Sequence, residues 1–110
     1  MSWDNKKTDD LIGAILELKT KAEAKRFLRD LLTEDELVEF GNRWLAARLL
    51  ARGVSYTKIS DRTRLSSTTI ARVSKWLNSG MDGYKLMLNR ISHHHAHTSS
   101  AGNGARLIRH

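Results

Sequence analysis

Residues 54–77 read VSYTKISDRTRLSSTTIARVSKWL, and the fold turns on how they are read. Ser55 is placed to cap one short helix running to about Arg62, and Ser66 to cap a second running to about Asn78. Serine suits both positions because its hydroxyl accepts a hydrogen bond from the free N–H groups of a first turn. Residues 63–65 form the break. Val54, Ile59, Leu65, Ile70, Val73 and Leu77 are spaced to hold the two helices together, and Ser60 is small enough for a close crossing. The layout predicts a helix-turn-helix, two short helices meeting steeply through a three- to four-residue turn. One position departs from the usual chemistry. The turn commonly takes a left-handed glycine, and here it falls on Arg64 or Thr63, at a cost of about 1 kcal/mol.

The second helix then turns Ser67, Thr68, Ala71, Arg72 and Lys75 outward. In this motif the N-terminal residues of the second helix reach base edges in the major groove. Short side chains let the helix end come close, and hydroxyls both donate and accept, so they can meet either kind of base edge. The free N–H groups at the helix start can bind a phosphate. Lys58, Arg62, Arg64 and Lys75 surround this end, and Tyr56 and Thr57 open the first helix within reach of the backbone. The expected DNA-binding set is therefore Tyr56, Thr57, Lys58, Arg62, Arg64, Ser66, Ser67, Thr68, Ala71, Arg72 and Lys75. Taken singly, each hydroxyl needs no explanation beyond capping or solvation, which is the reading for Thr69. A solvated face would not also need the tight two-helix spacing.

Composition supports the same direction. The chain has 110 residues with 40% hydrophobic, enough for one small domain. Its net charge of +7 is unevenly spread. Residues 1–40 hold seven Lys/Arg against ten Asp/Glu, whereas residues 41–80 hold eight against one, Asp61. A basic segment beside a mildly acidic one is the footprint of a surface that meets phosphates. Cysteine is absent, which excludes disulfides, thiol catalysis and Cys-based zinc sites. Proline is absent too, which favours long helices. No 18-residue apolar run and no signal-peptide pattern are present, so no membrane partner and a cytoplasmic location are expected. No nucleophile elbow or supported acid–base pair is visible, so neither enzyme activity nor a cofactor is expected.

Outward from the motif, the pattern stays helical. Leu11, Ile12, Ile15, Leu16 and Leu18 repeat at helical spacing after Thr8 or Asp9 as cap. Thr20 with Glu23, and Thr33 with Glu36, are capping boxes. The second opens a long helix through Leu37, Phe40, Trp44, Leu45, Leu49 and Leu50 that ends at Gly53. Gly80 stops the recognition helix, and Asp82 caps a last one carrying Tyr84, Leu86, Met87, Leu88 and Ile91. No strand pattern or repeat appears. The fold class is all-α with about six helices. Residues 1–91 are expected to form the domain and residues 92–110 a disordered tail. His93, His94, His95 and His97 in that tail match no structural metal site, so no metal is expected.

LLTEDELVEFGNRWLAARLLARGVSYTKISDRTRLSSTTIARVSKWLNSG resembles the Trp-repressor superfamily, and more closely its TrpR-like YerC/YecD branch. The resemblance covers about Phe27 to Leu88 and rests on LLTEDEL, on Gly41-Asn42-Arg43, and on the pattern from Leu65 to Val73. It implies an intertwined helical homodimer that binds double-stranded operator DNA through two recognition helices and acts as a repressor. Its effector positions match Arg43, Arg72, Leu32 and Thr33. Val73 stands where the family leaves room for an indole with glycine, and Trp76 where it has serine. Both are expected to fill the cavity from within, so tryptophan is not expected to bind well. The wide apolar faces of the first three helices, with Phe40, Trp44 and the Leu31-Leu32 pair, agree with a dimer. Two other classes stay open at this point: a non-specific or architectural DNA-binding protein, and a helix-turn-helix interaction module of a larger replication or recombination assembly.

Overall fold

Side-chain caps punctuate the chain. In the computed structural model α1 spans Lys6–Leu16 and starts at Asn5, whose side chain accepts from the N–H groups of Lys7 and Thr8 at 2.9 and 3.2 Å. This corrects the expected cap at Thr8 or Asp9. Thr8 lies three residues on, where its hydroxyl accepts from the Asn5 N–H at 3.0 Å and closes the box. The helix α2 spans Lys21–Leu31 and is capped by Thr20, which accepts from the Glu23 N–H at 3.1 Å. Glu23 reaches back one residue further, to the Lys19 N–H at 2.9 Å. The helix α3 spans Glu34–Ala51 and opens on a reciprocal box: Glu36 accepts from the Thr33 N–H at 2.9 Å, and Thr33 from the Glu36 N–H at 3.1 Å.

At the end of α3, Gly53 is left-handed with φ +79°. Its N–H donates to the Leu50 carbonyl at 3.0 Å, and the Val54 N–H to that of Leu49 at 3.1 Å. This double closure satisfies carbonyls that the helix would otherwise leave free. The remaining helices are α4, Tyr56–Thr63; α5, Ser67–Ser79; and α6, Gly83–Gly102.

The structure describes residues 2–102, the side chains of residues 94–102 excepted, and among these there is no strand. The all-α class and the six helices are as expected. The sequence reading ends the helical domain at residue 91, whereas the backbone of α6 is helical through Gly102. Residues 103–110 and the side chains of His94, His95 and His97 lie outside the described residues. No described helix is long and apolar enough to cross a membrane.

Two units make up the described chain, one up to Glu39 and one from Phe40. In the first, α1 and α2 bury no side chain, and Leu16 is 77% exposed. The second has a core of Ala46, Ala47, Leu49, Ile59, Leu65, Ile70 and Val73. Trp44, Leu45, Leu50, Val54 and Tyr84 pack against its margin, and Leu77 is also buried. Here α4 packs on α5 and α5 on α6.

Gly80 closes α5 by close approach rather than by a left-handed backbone. Its N–H donates to the Trp76 carbonyl at 3.0 Å, and a Cβ added there would lie 2.5 Å from the same oxygen. Gly53 has open space around it, so a side chain there meets only backbone strain. Gly53→Ala is therefore expected to lower stability by about 1 kcal/mol, or roughly 4–8 °C in Tm for a domain of this size. Gly80→Ala is expected to lower it further, because a backbone carbonyl has to move. Thermal unfolding followed by circular dichroism ranks the two.

Candidate nucleic-acid interface

The turn between α4 and α5 is built from α4 outward. Ser55 caps α4 by accepting from the Lys58 N–H at 3.3 Å. At the other end Arg64 takes the left-handed conformation, φ +63°, and its N–H closes on the Ser60 carbonyl at 2.7 Å. The position that usually favours glycine is thus Arg64, one of the two residues the sequence offered. Thr63 beside it is buried, with 1% of its surface exposed. Its hydroxyl donates to the Ile59 carbonyl at 2.8 Å and accepts from the Leu65 N–H at 3.2 Å. The Ser60 hydroxyl donates to the Leu65 carbonyl at 3.0 Å. Sequence reading assigned Ser60 only a small size and offered Thr63 only as the alternative left-handed position. The available signal was two hydroxyl residues three apart at the end of a short helix, where they can reach the turn that follows.

Ser66 begins α5. It accepts from the Thr69 N–H at 3.1 Å and donates to the Thr69 hydroxyl at 3.1 Å. This hydroxyl pair is committed to capping. The N–H groups of Ser67 and Thr68, in the first turn, have no intrahelical acceptor. Ile70, Val73 and Leu77 face the core. On the opposite side Ser67, Thr68, Ala71, Arg72 and Lys75 are all exposed. The same holds for Tyr56, Thr57, Lys58, Arg62 and Arg64, the rest of the expected set. Among the described residues, none of Lys58, Arg62, Arg64, Arg72 and Lys75 sits in an ion pair.

The expected effector positions are less gathered. Leu32 and Thr33 belong to the first unit, at the junction of α2 and α3. In the second unit Arg43 is half-buried, with its guanidinium 5.5 Å from the centroid of the Phe40 ring. It lines a recess of about 230 Å³ with Phe40, Trp44 and Tyr84, and Arg72 is not among the lining residues. Trp44 and Tyr84 stack there with centroids 6.3 Å apart. Val73 is buried in the core. Trp76 is not: it is 45% exposed and lines an open, largely apolar groove of about 850 Å³ with Trp44, Met81, Tyr84 and Met87. Among the described residues no cluster of metal-ligating side chains is present.

Residues 6–92 match the family model described as Trp repressor protein. This chain belongs to the Trp repressor family. The family is one of DNA-binding regulators, not of enzymes. The chain is 39% identical over 95 residues to YerC of Bacillus subtilis (strain 168), a protein whose function is uncharacterized, across 86% of this chain and 91% of YerC. Two crystal structures share its fold. A TrpR-like protein of Eubacterium eligens ATCC 27750 superposes with a TM-score of 0.78 at 34% identity, over 81% of this chain and 92% of that one. A Staphylococcus aureus protein provisionally called a Trp repressor gives 0.76 at 32% identity, over 80% and 88%. The resemblance to the YerC-like branch of the Trp repressor family is thereby shown.

Within this Trp repressor fold, Arg64→Gly isolates the backbone strain of the turn. Glycine removes the left-handed penalty but adds freedom to the unfolded chain, so the expected gain is a few tenths to about 1 kcal/mol. An unchanged or lowered Tm would show that the entropy added to the unfolded chain, or a contact of the Arg64 side chain, outweighs the relieved strain.

Proposed function

We propose that this Trp repressor family member is a sequence-specific DNA-binding transcriptional regulator, a repressor, that works as an intertwined homodimer in the cytoplasm. One observation carries the reading. The N-terminal end of α5 presents exposed Ser67 and Thr68, and among the described residues the exposed cations Arg62, Arg64, Arg72 and Lys75 of α4, the turn and α5 are in no ion pair. Ser67, Thr68 and Ala71 are the proposed base readers, through hydroxyls and a methyl. Tyr56, Thr57, Lys58, Arg62, Arg64 and Lys75 hold the backbone of double-stranded DNA and set the register. Ser66 contributes by shaping the helix start. Arg72 contacts phosphate.

The homodimer is supported by the first unit, whose α1 and α2 bury no side chain within one chain. A second chain is the proposed cover for these apolar faces. Two recognition helices then enter successive major grooves about 34 Å apart, so the operator is palindromic. Arg43, Arg72, Leu32 and Thr33 are the proposed effector positions. Tryptophan is not the proposed effector: Val73 and Trp76 stand where the family resemblance implies glycine and serine, and Val73 is buried in the core.

Selection of bound fragments from genomic DNA tests the function directly. A palindromic motif is expected, and binding that vanishes under competitor DNA at physiological salt would favour a non-specific, architectural role. Thr68→Ala is expected to lower the preference for operator over random DNA. Lys75→Ala is expected to weaken both alike and to reduce the salt slope by about 1. Equal losses on operator and random DNA for both variants would argue against base reading. Calorimetry with L-tryptophan is expected to show no micromolar binding.

A further inference from the structure

We infer that Thr63, with Ser60, is a positioning residue that sets the direction of α5 and thereby the selectivity of the interface, an inference that rests on the DNA-binding reading. Leu65 is the residue immediately before the cap of α5. Both of its backbone polar groups are held by side chains of α4: the N–H by the Thr63 hydroxyl at 3.2 Å, the carbonyl by the Ser60 hydroxyl at 3.0 Å. Thr63 is itself anchored, donating to the Ile59 carbonyl at 2.8 Å. The Leu65 peptide links are therefore gripped from both sides by one helix. Between the grips and α4 stands Arg64 in its left-handed conformation. A backbone with one strained residue and no such grip would have several ways to leave the turn. With it, the first turn of α5 emerges in one direction.

Burial makes this grip rigid. Thr63 and Leu65 are buried, so water does not compete for the Leu65 N–H. Ser67 and Thr68 lie two and three residues beyond Leu65, and their short side chains cannot reach to compensate for a tilt of the helix. Long, flexible base readers would tolerate a shift that hydroxyl readers do not. Base-reading geometry is lost within about half an ångström, so the partner of this interface depends on groups that never touch it. The lysines and arginines, on long stems, would keep their phosphate contacts through the same tilt.

The test separates hydroxyl from shape. Thr63→Val keeps the volume and removes both hydrogen bonds; Thr63→Ser keeps the hydroxyl. Binding is measured on the selected duplex and on random DNA, well below each variant's Tm. Thr63→Val is expected to lower the operator-to-random affinity ratio about tenfold, the scale of one lost base contact, with random-DNA affinity unchanged. Thr63→Ser is expected to restore most of the ratio. Ser60→Ala, which leaves the core intact, is expected to lower the ratio in the same way and carries the test if Thr63→Val does not fold. An unchanged ratio in Thr63→Val and Ser60→Ala would overturn the inference. Residual dipolar couplings of the folded variants report the α4–α5 angle without DNA, and an angle identical to that of the parent chain would overturn it as well. If the parent chain shows no preference among sequences, the DNA-binding reading fails, and the couplings still decide what Thr63 does.

Discussion

The peptide around Leu65 is the constraint on which the turn between α4 and α5 depends. A turn of three residues between two helices leaves backbone groups that neither helix satisfies. Leaving one buried donor unpaired costs about 1–3 kcal/mol, a large fraction of the stability of a small domain. Here two hydroxyls from α4 satisfy the Leu65 N–H and carbonyl, and the left-handed Arg64 spans the gap. The strain at Arg64 is about 1 kcal/mol, and the hydrogen bonds around it offset that. The same atoms that stabilise the turn orient the helix that follows.

Beyond the turn, α5 divides its work by face. Ile70, Val73 and Leu77 are buried, and Ser67, Thr68, Ala71, Arg72 and Lys75 are exposed on the other side. The helical repeat alone forces this separation, because positions three and four apart share a face. Charge follows the same division at a larger scale. Acidic residues are concentrated before residue 41, and Asp61 is the single side-chain carboxylate between residues 41 and 80. A cation without an internal partner keeps its full attraction for phosphate.

Around Arg43 and along α5, packing separates residues that lie close in sequence. Arg43 lies over Phe40 beside the stacked Trp44 and Tyr84, in a small recess that Arg72 does not line. Val73 is committed to the core, whereas Trp76 opens onto the flank. Val73 and Trp76, three residues apart on α5, have different surroundings. Val73 lies in the interior, and Trp76 lines an open apolar groove.

Most of the fold was legible in the sequence because its determinants are local. Thr20, Thr33, Ser55 and Ser66 cap their helices through hydrogen bonds that span three residues, and Gly53 ends α3 within five. The exposed face of α5 was legible for the same reason. The cap at Asn5 was missed because Thr8 is also a good capping residue, and only the geometry shows that it serves as the third position of the box. The helical backbone of residues 92–102 was missed because its small polar side chains carry no apolar period. Sequence by itself thus determined the helices, their order, the helix-turn-helix and the side of α5 that faces out. Tertiary structure decided that Thr63 is buried with its hydroxyl on Leu65, that Trp76 leaves the interior, and that Arg43 and Arg72 do not share the recess beside Phe40. Those outcomes depend on which surfaces meet across the chain, and spacing along the chain carries no record of that.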